Sequence, residues 1–169
     1  LLEFSNCCGV TDIDDNDYPT LIFGDQEWMT ANLNVTHYRN GDEIPNVTSN
    51  SSWKTLEEGA YCNYDNDASN AATYGRLYNL YAVNDSRNLC PAGWHVPSYD
   101  EWLILEDFVV SNYSEYIGDE AEAMKTTTGW NDLYSNSLNG NNESGFSALP
   151  AGGRKGRQID DGSYYDLGY

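Results

Sequence analysis

The chain has 169 residues, 27 acidic against 8 basic, for a formal charge of −19. That length suits one domain with a sizeable core. The charge excludes nucleic acid and an anionic membrane surface as partners, because no basic stripe exists to neutralise phosphates, and no apolar run approaches the ~18 residues of a membrane span.

Residues 1 to 10 form a mixed lead-in, starting at Leu1 with no basic region, as expected of a chain whose signal peptide has been removed or of a fragment. Asp12 to Asp17 is an acidic turn. Thr20-Leu-Ile-Phe23 reads as a buried strand, and Gly24-Asp25 as a hairpin turn into Glu27-Trp28-Met29. Residues 39–58 are polar with scattered apolar positions and read as loop. Ala60-Tyr-Cys62 is a short strand, followed by an Asn-rich acidic loop from Asn63 to Asn70. The spacing of Leu77, Tyr78, Tyr81 and Ala82 predicts a helix from Ala71 to Val83.

The segment Cys90 to Trp102 is the densest in signals. Pro91 and Gly93 force a turn, Trp94 and Val96 alternate at strand spacing, and Pro97, lacking an N–H, stops any ladder. Ser98 with Glu101 three residues on is a capping box, so a helix begins at Tyr99, with Trp102, Leu105 and Val109 on one stripe. A third short helix spans Glu120 to Lys125. From Trp130 the chain is rich in Asn, Gly and Ser, and only Gly145 to Leu149 stands out. Helices among short strands and long loops read as α+β.

Trp94-His-Val-Pro-Ser98, with Glu101-Trp102, resembles the signature of the Fibrobacter succinogenes major paralogous domain. Other pieces agree in order: Val10 to Asp14, Asp25 to Met29 with Asn32-Leu33, Tyr61-Cys62, Tyr74 to Asn79, Gly129-Trp130 and Gly145 to Pro150. The family is similar in turn to C-type-lectin-like and formylglycine-generating-enzyme-like folds. The resemblance implies a bacterial extracellular domain, a single lectin-like unit over 1–169, with a small twisted antiparallel sheet, two main helices and long loops. It supplies no reaction. In that fold the termini pair as strands, and in the family the cysteine at the Cys90 position usually has a partner near a C-terminal strand. The chain ends before that strand, so it is expected to be truncated or completed by a neighbour. An open sheet edge is a template for intermolecular pairing.

Four cysteines, Cys7, Cys8, Cys62 and Cys90, suit an oxidising compartment rather than zinc. Cys7 and Cys8 are adjacent and would pair with strain. Two long-range bridges, one to Cys62 and one to Cys90, are the economical expectation, with either assignment open. Asp12, Asp14 and Asn16 place oxygens at alternate positions like the start of a calcium loop, but the glycine and bidentate glutamate of an EF-hand are missing. Asp65, Asp67 and Asn70 form a second acidic loop. Trp130-Asn131-Asp132 matches a triplet of sugar-binding C-type lectins without the partner motif that should precede it. No cofactor is therefore expected, with Ca²⁺ at Asp12, Asp14 and Asn16 as the alternative.

Six N-glycosylation sequons start at Asn34, Asn46, Asn50, Asn84, Asn112 and Asn142, and any that is modified must be exposed. His95 reads as a structural hydrogen-bonding residue, His37 lies in a polar segment, and neither has a partner motif of a known hydrolase. The cysteine pair of formylglycine-generating enzymes has no counterpart after Cys90. Arg154-Lys-Gly-Arg157 is the basic cluster, a solvated turn or a dock for an acidic patch. Trp28, Tyr78, Trp94, Pro97 and Trp102 are the expected structural anchors.

These signals favour a non-catalytic extracellular or cell-surface module, structural or adhesive, as in a filament subunit joined by strand exchange. Its expected partners are further copies or other surface proteins. Polysaccharide binding, with tyrosines such as Tyr164 and Tyr165 for stacking, is the alternative, and an enzyme of undefined reaction the third.

Overall fold

The structure is a computed structural model that describes residues 7–113, 120–131 and 137–155, apart from the side chains of Cys7 and Cys8. It is mixed α and β, with small antiparallel sheets and short helices. The chain divides into two compact units that interleave in sequence. One comprises Leu1–Val10, Asp17–Asn32 and Pro97–Pro150, the other Thr11–Asn16, Leu33–Val96 and Ala151–Tyr169.

The first unit is built on a three-stranded sheet, β1 (Cys7–Thr11), β2 (Asp17–Phe23) and β3 (Gln26–Met29), in that order. β2 and β3 form the expected hairpin, pairing Leu21 with Trp28 and Phe23 with Gln26. Gly24 at its tip has φ 62°, the left-handed conformation that a two-residue hairpin needs. Tyr18, Thr20 and Phe23 of β2 are buried, and the Thr20 hydroxyl donates to Glu27 Oε1 across the hairpin at 2.7 Å. The long helix α4 (Tyr99–Tyr113) begins where its capping box places it. Ser98 N–H donates to Glu101 Oε2 at 2.7 Å, and Glu101 N–H donates back to Ser98 Oγ at 3.3 Å. α4 buries Leu105 and Val109 in a core with Phe23, Trp28, Ala123 and Met124, the last two from α5 (Glu120–Met124). Trp28 and Trp102 meet at a tilt of 55° with centroids 4.7 Å apart, and Phe146 meets both rings edge-on at about 6 Å, contacts that add to the burial itself. Ser144, fully buried, donates its hydroxyl to Ala123 O at 2.8 Å.

The second unit has little regular structure. Its sheet is two residues on each side, β4 (Tyr61–Cys62) against β5 (Leu77–Tyr78). Two corrections arise here. The helix expected over 71–83 is two short helices, α2 (Ala71–Tyr74) and α3 (Leu80–Val83), with β5 between them. Gly75 ends α2 at φ 67°, ψ −152°, a conformation open to glycine. Leu77 and Tyr78 then prefer pairing with Cys62 and Tyr61 to continuing a helix. The polar stretch 39–58 is not all loop: Ser49 caps a short helix, α1 (Asn50–Thr55), whose one buried residue is Trp53. The core gathers Val35, Tyr38, Ile44, Tyr61, Tyr78, Ala82 and Leu89, with Trp53, Ala60, Cys62 and Leu77 as a second cluster. A third correction concerns Trp94 and Val96, which form no strand. Trp94 O accepts instead from the Arg39 side chain.

Candidate functional site

In the second unit, guanidinium groups hold the loops where sheet is lacking. Arg39 donates from Nε to Cys90 O at 2.8 Å and from Nη2 to Pro91 O and Trp94 O at 2.8 and 3.2 Å. Arg76 donates to Asn34 O and Asn63 Oδ1 and lies over the Tyr61 ring. Arg154 donates to Val47 O and Thr48 O, each at 2.7 Å, and lies over Trp53. Its place in the expected basic cluster is therefore structural, while Arg157 lies outside the described residues. A planar fork with five donors is suited to bridging several carbonyls at once.

Asn79 organises the other end of this unit. It is buried, caps α3 by accepting from Ala82 N–H at 2.9 Å, accepts also from Ala60 N–H, and donates to Glu58 O at 2.8 Å. That fixes residues 58–60 beside α3 and leaves an open groove of about 700 Å³ between the 43–45, 57–59 and 80–87 segments. Four acidic residues are among its lining: Glu43, Glu57, Glu58 and Asp85. Leu80 and Tyr81 also line it, and are 47% and 49% exposed although both are large and apolar. Asp85 is neutralised by Arg87, which grips it through Nε and Nη2 at 2.9 and 2.7 Å and reaches Asp42 at 3.2 Å. The Arg87 hydrogen bonds hold the Asp85 carboxyl down to about 2. Among the described residues, the carboxylates of Glu43, Glu57 and Glu58 make no hydrogen bond or ion pair.

Behind the groove lies Tyr38, fully buried, with Arg87 stacked 4.0 Å over its ring. Its hydroxyl faces Gly59 so closely that a Cβ there would overlap it. The hydroxyl has no hydrogen-bond partner of ordinary geometry, although Asp85 and Arg87 are near enough to influence its acidity. Burial first, and the Asp85 charge second, push the Tyr38 phenol up.

The expected calcium oxygens serve another purpose. Asp12 accepts from Asp14 N–H, Asn16 N–H and Asn16 Nδ2 at 2.8 to 3.0 Å, closing its own turn. Asp14 accepts from Thr36 N–H and hydroxyl and pairs with His37 Nδ1. Burial raises the Asp14 carboxyl, but the Thr36 and His37 hydrogen bonds outweigh it and leave it below the usual range. In the second acidic loop Asp67 accepts from Ser69 N–H and hydroxyl, and Asn70 donates to Tyr64 O. Among the described residues no three His, Cys, Asp or Glu side chains gather as a metal site.

Trp28 and Tyr78 are buried, whereas Trp94, Pro97 and Trp102 are half-buried and His95 is exposed. The Tyr78 hydroxyl donates to Val35 O at 2.7 Å. Trp130 donates its indole N–H to Thr126 Oγ1 and Ala148 O. Asn131 is exposed, and Asp132, Tyr164 and Tyr165 lie outside the described residues. Cys62 and Cys90 carry buried free thiols, and the side chains of Cys7 and Cys8 lie outside the described residues. Burial pushes the Cys90 thiol up to about 11 against the opposing charge of Arg39. Of the sequon asparagines, Asn46, Asn50, Asn84 and Asn112 are exposed, and Asn34 and Asn142 half-buried. The Asn142 amide is bonded to Ser147 on both sides. Sequence reasoning missed the groove and the three arginine clamps, since their components lie tens of residues apart. The small residue Gly59 and the caps Asn79 and Ser49 were the available local signals.

Residues 22–168 match the Fibrobacter succinogenes major domain family (Fib_succ_major). The chain belongs to that family. No curated protein and no solved structure matches this family member. Among the described residues, no helix is long and apolar enough to cross a membrane.

Proposed function

We propose that this family member is a non-catalytic extracellular module, structural or adhesive, displayed at a bacterial surface on a C-type-lectin-like scaffold. The observation that carries this reading is the use made of its charged groups. Arg39, Arg76 and Arg154 clamp loops by their carbonyls, Asp12 and Asp67 close their own turns, and Asp14 tethers Thr36. Such clamps fix irregular loops as a rigid display surface, and rigidity lowers the entropy lost on binding. With these three arginines spent on loop carbonyls, the excess of 27 acidic over 8 basic residues resists non-specific association. The short sheet β1-β2-β3 ends on strands to which a strand from a second copy could add, joining subunits into a fibre. The exposed sequon residues Asn46 and Asn84 suit glycan attachment.

The test uses intact cells that carry the gene. External protease should remove the protein from the cells, and a deletion strain should lose cell cohesion or attachment. A copy carrying His37→Ala and His95→Ala should restore it. Protection of the protein inside protease-treated cells, or a chemical turnover abolished by those substitutions, would contradict the reading. Polysaccharide binding is the second reading, favoured by the exposed Tyr81 ring in an open groove.

A further inference from the structure

Resting on the structural reading above, we propose that the β3 edge of the three-stranded sheet pairs antiparallel with β3 of a second copy of this chain. β3 is the last strand of that sheet, hydrogen-bonded to β2 on one side. The register of the hairpin fixes what β3 offers on its other side. Thr30 N–H donates to Pro19 O at 2.9 Å, and opposite residues of an antiparallel ladder alternate between hydrogen-bonded and non-bonded pairs. Counting from that bond, Trp28 with Leu21 and Gln26 with Phe23 are bonded pairs, whereas Met29 with Thr20 and Glu27 with Ile22 are not. The main-chain N–H and C=O groups of Glu27 and Met29 therefore point away from β2. Among the described residues these groups have no hydrogen-bond partner.

The edge lacks the features that keep strands from pairing. Gln26-Glu-Trp-Met29 has no proline, lysine or bulge. Its one charge, Glu27, is turned back onto the hairpin, where Oε1 accepts from the Thr20 hydroxyl at 2.7 Å. The opposite edge differs, because β1 carries Gly9 at φ 63°, left-handed backbone that interrupts a regular ladder. A second copy fits the β3 edge because that edge is self-complementary. Setting Glu27 against Met29 of the other copy, and Met29 against its Glu27, engages every outward group in reciprocal bonded pairs about a two-fold axis. Setting Glu27 against Glu27 would instead oppose two carboxylates directly. Exposed apolar side chains stand close by. Ile22, across the hairpin from Glu27, is 46% exposed. The first turn of α4, tied to β3 by Gln26 Nε2 donating to Glu101 O at 3.3 Å, carries Tyr99 at 76%. Such a two-fold contact closes on itself, so a fibre adds a further contact elsewhere.

The test follows the full chain by sedimentation equilibrium from about 10 μM to about 1 mM, the range of weak association, and by amide exchange at both ends of that range. The expected result is a dimer that strengthens with salt, because two chains of charge −19 repel each other. The Glu27 and Met29 amides should exchange freely at the low concentration and gain at least about tenfold protection at the high one. The Trp28 amide, bonded within the hairpin, should stay protected at both. Met29→Pro deletes one outward N–H and no bond to β2, so it should keep its thermal unfolding and self-associate at least about tenfold more weakly. Should Met29→Pro fail to fold, the exchange pattern of the unaltered chain decides alone. A monomer throughout would leave the edge to a strand of another protein and overturn the proposal. So would a dimer whose Glu27 and Met29 amides stay unprotected, a dimer that salt weakens, or a folded Met29→Pro that dimerises as well as the unaltered chain. None of these outcomes alters whether external protease strips the protein from cells, so the surface reading stands or falls separately.

Discussion

The two units solve the same problem by different means. The first buries a contiguous aromatic and aliphatic core under a regular hairpin and a 15-residue helix. Among the described residues the second has a two-stranded sheet of four residues, short helices and long connections, and ties them with charged and amide side chains aimed at backbone groups. Buried or loop carbonyls must find donors somewhere. Where the sequence does not supply a ladder, Arg39, Arg76, Arg154 and Asn79 supply the donors. The contrast predicts which substitutions damage which unit.

The largest effects should be comparable in size and different in kind. Trp28→Ala removes the ring at the centre of the first core and should cost about 3–5 kcal/mol in denaturant unfolding. Arg39→Ala removes the side-chain donor of Cys90 O and Trp94 O and one of two donors of Pro91 O, and should cost about 3–5 kcal/mol. If Arg39→Ala were neutral, the second unit would not depend on its clamps. Next comes Gly59→Ala, which drives a methyl into the Tyr38 hydroxyl and the Ala82 backbone and should cost about 1–3 kcal/mol. Pairing it with Tyr38→Phe should recover part of the loss. Ser98→Ala, which breaks the capping box of α4, should cost about 1 kcal/mol.

The smallest effect separates the units by pH. Asp85 and Asp14 have folded-state values below those of the unfolded chain. Their contribution is present above about pH 4 and is lost as pH falls, for Asp85 through about 2. Both lie in the second unit. Amide signals of that unit should therefore weaken before those of the first as the solution is acidified, and simultaneous loss would erase the distinction.

The first unit was largely legible in the sequence, because its signals are local. The Gly24-Asp25 turn between apolar runs gave the hairpin, Ser98 and Glu101 gave the start of α4, and Leu105 and Val109 fell on the buried stripe. The second unit misled because its determinants are distant. Leu77, Tyr78, Tyr81 and Ala82 have helical spacing, yet two of them pair with a strand fifteen or so residues earlier, a preference that no local pattern encodes. α1 has one buried side chain and so no periodicity to read. Trp94 and Val96 alternate like a strand, but Trp94 O is taken by Arg39, fifty-five positions away. The groove draws residues from three separated segments, and the acidic residues that form it look no different in sequence from the rest of an acidic chain. The family match spans both units and was visible from ordered motifs, but it carries no ligand.

Native-state hydrogen exchange on Arg39→Lys tests the central claim most directly. Lysine keeps the charge but cannot bridge the Cys90, Pro91 and Trp94 carbonyls with a planar fork. The Trp94 amide, bonded to Pro91 O at 3.0 Å, should lose protection at least tenfold, while the amides of the β2–β3 hairpin keep theirs. Unchanged protection at Trp94 would show that the loop stands without its clamp and would contradict the account.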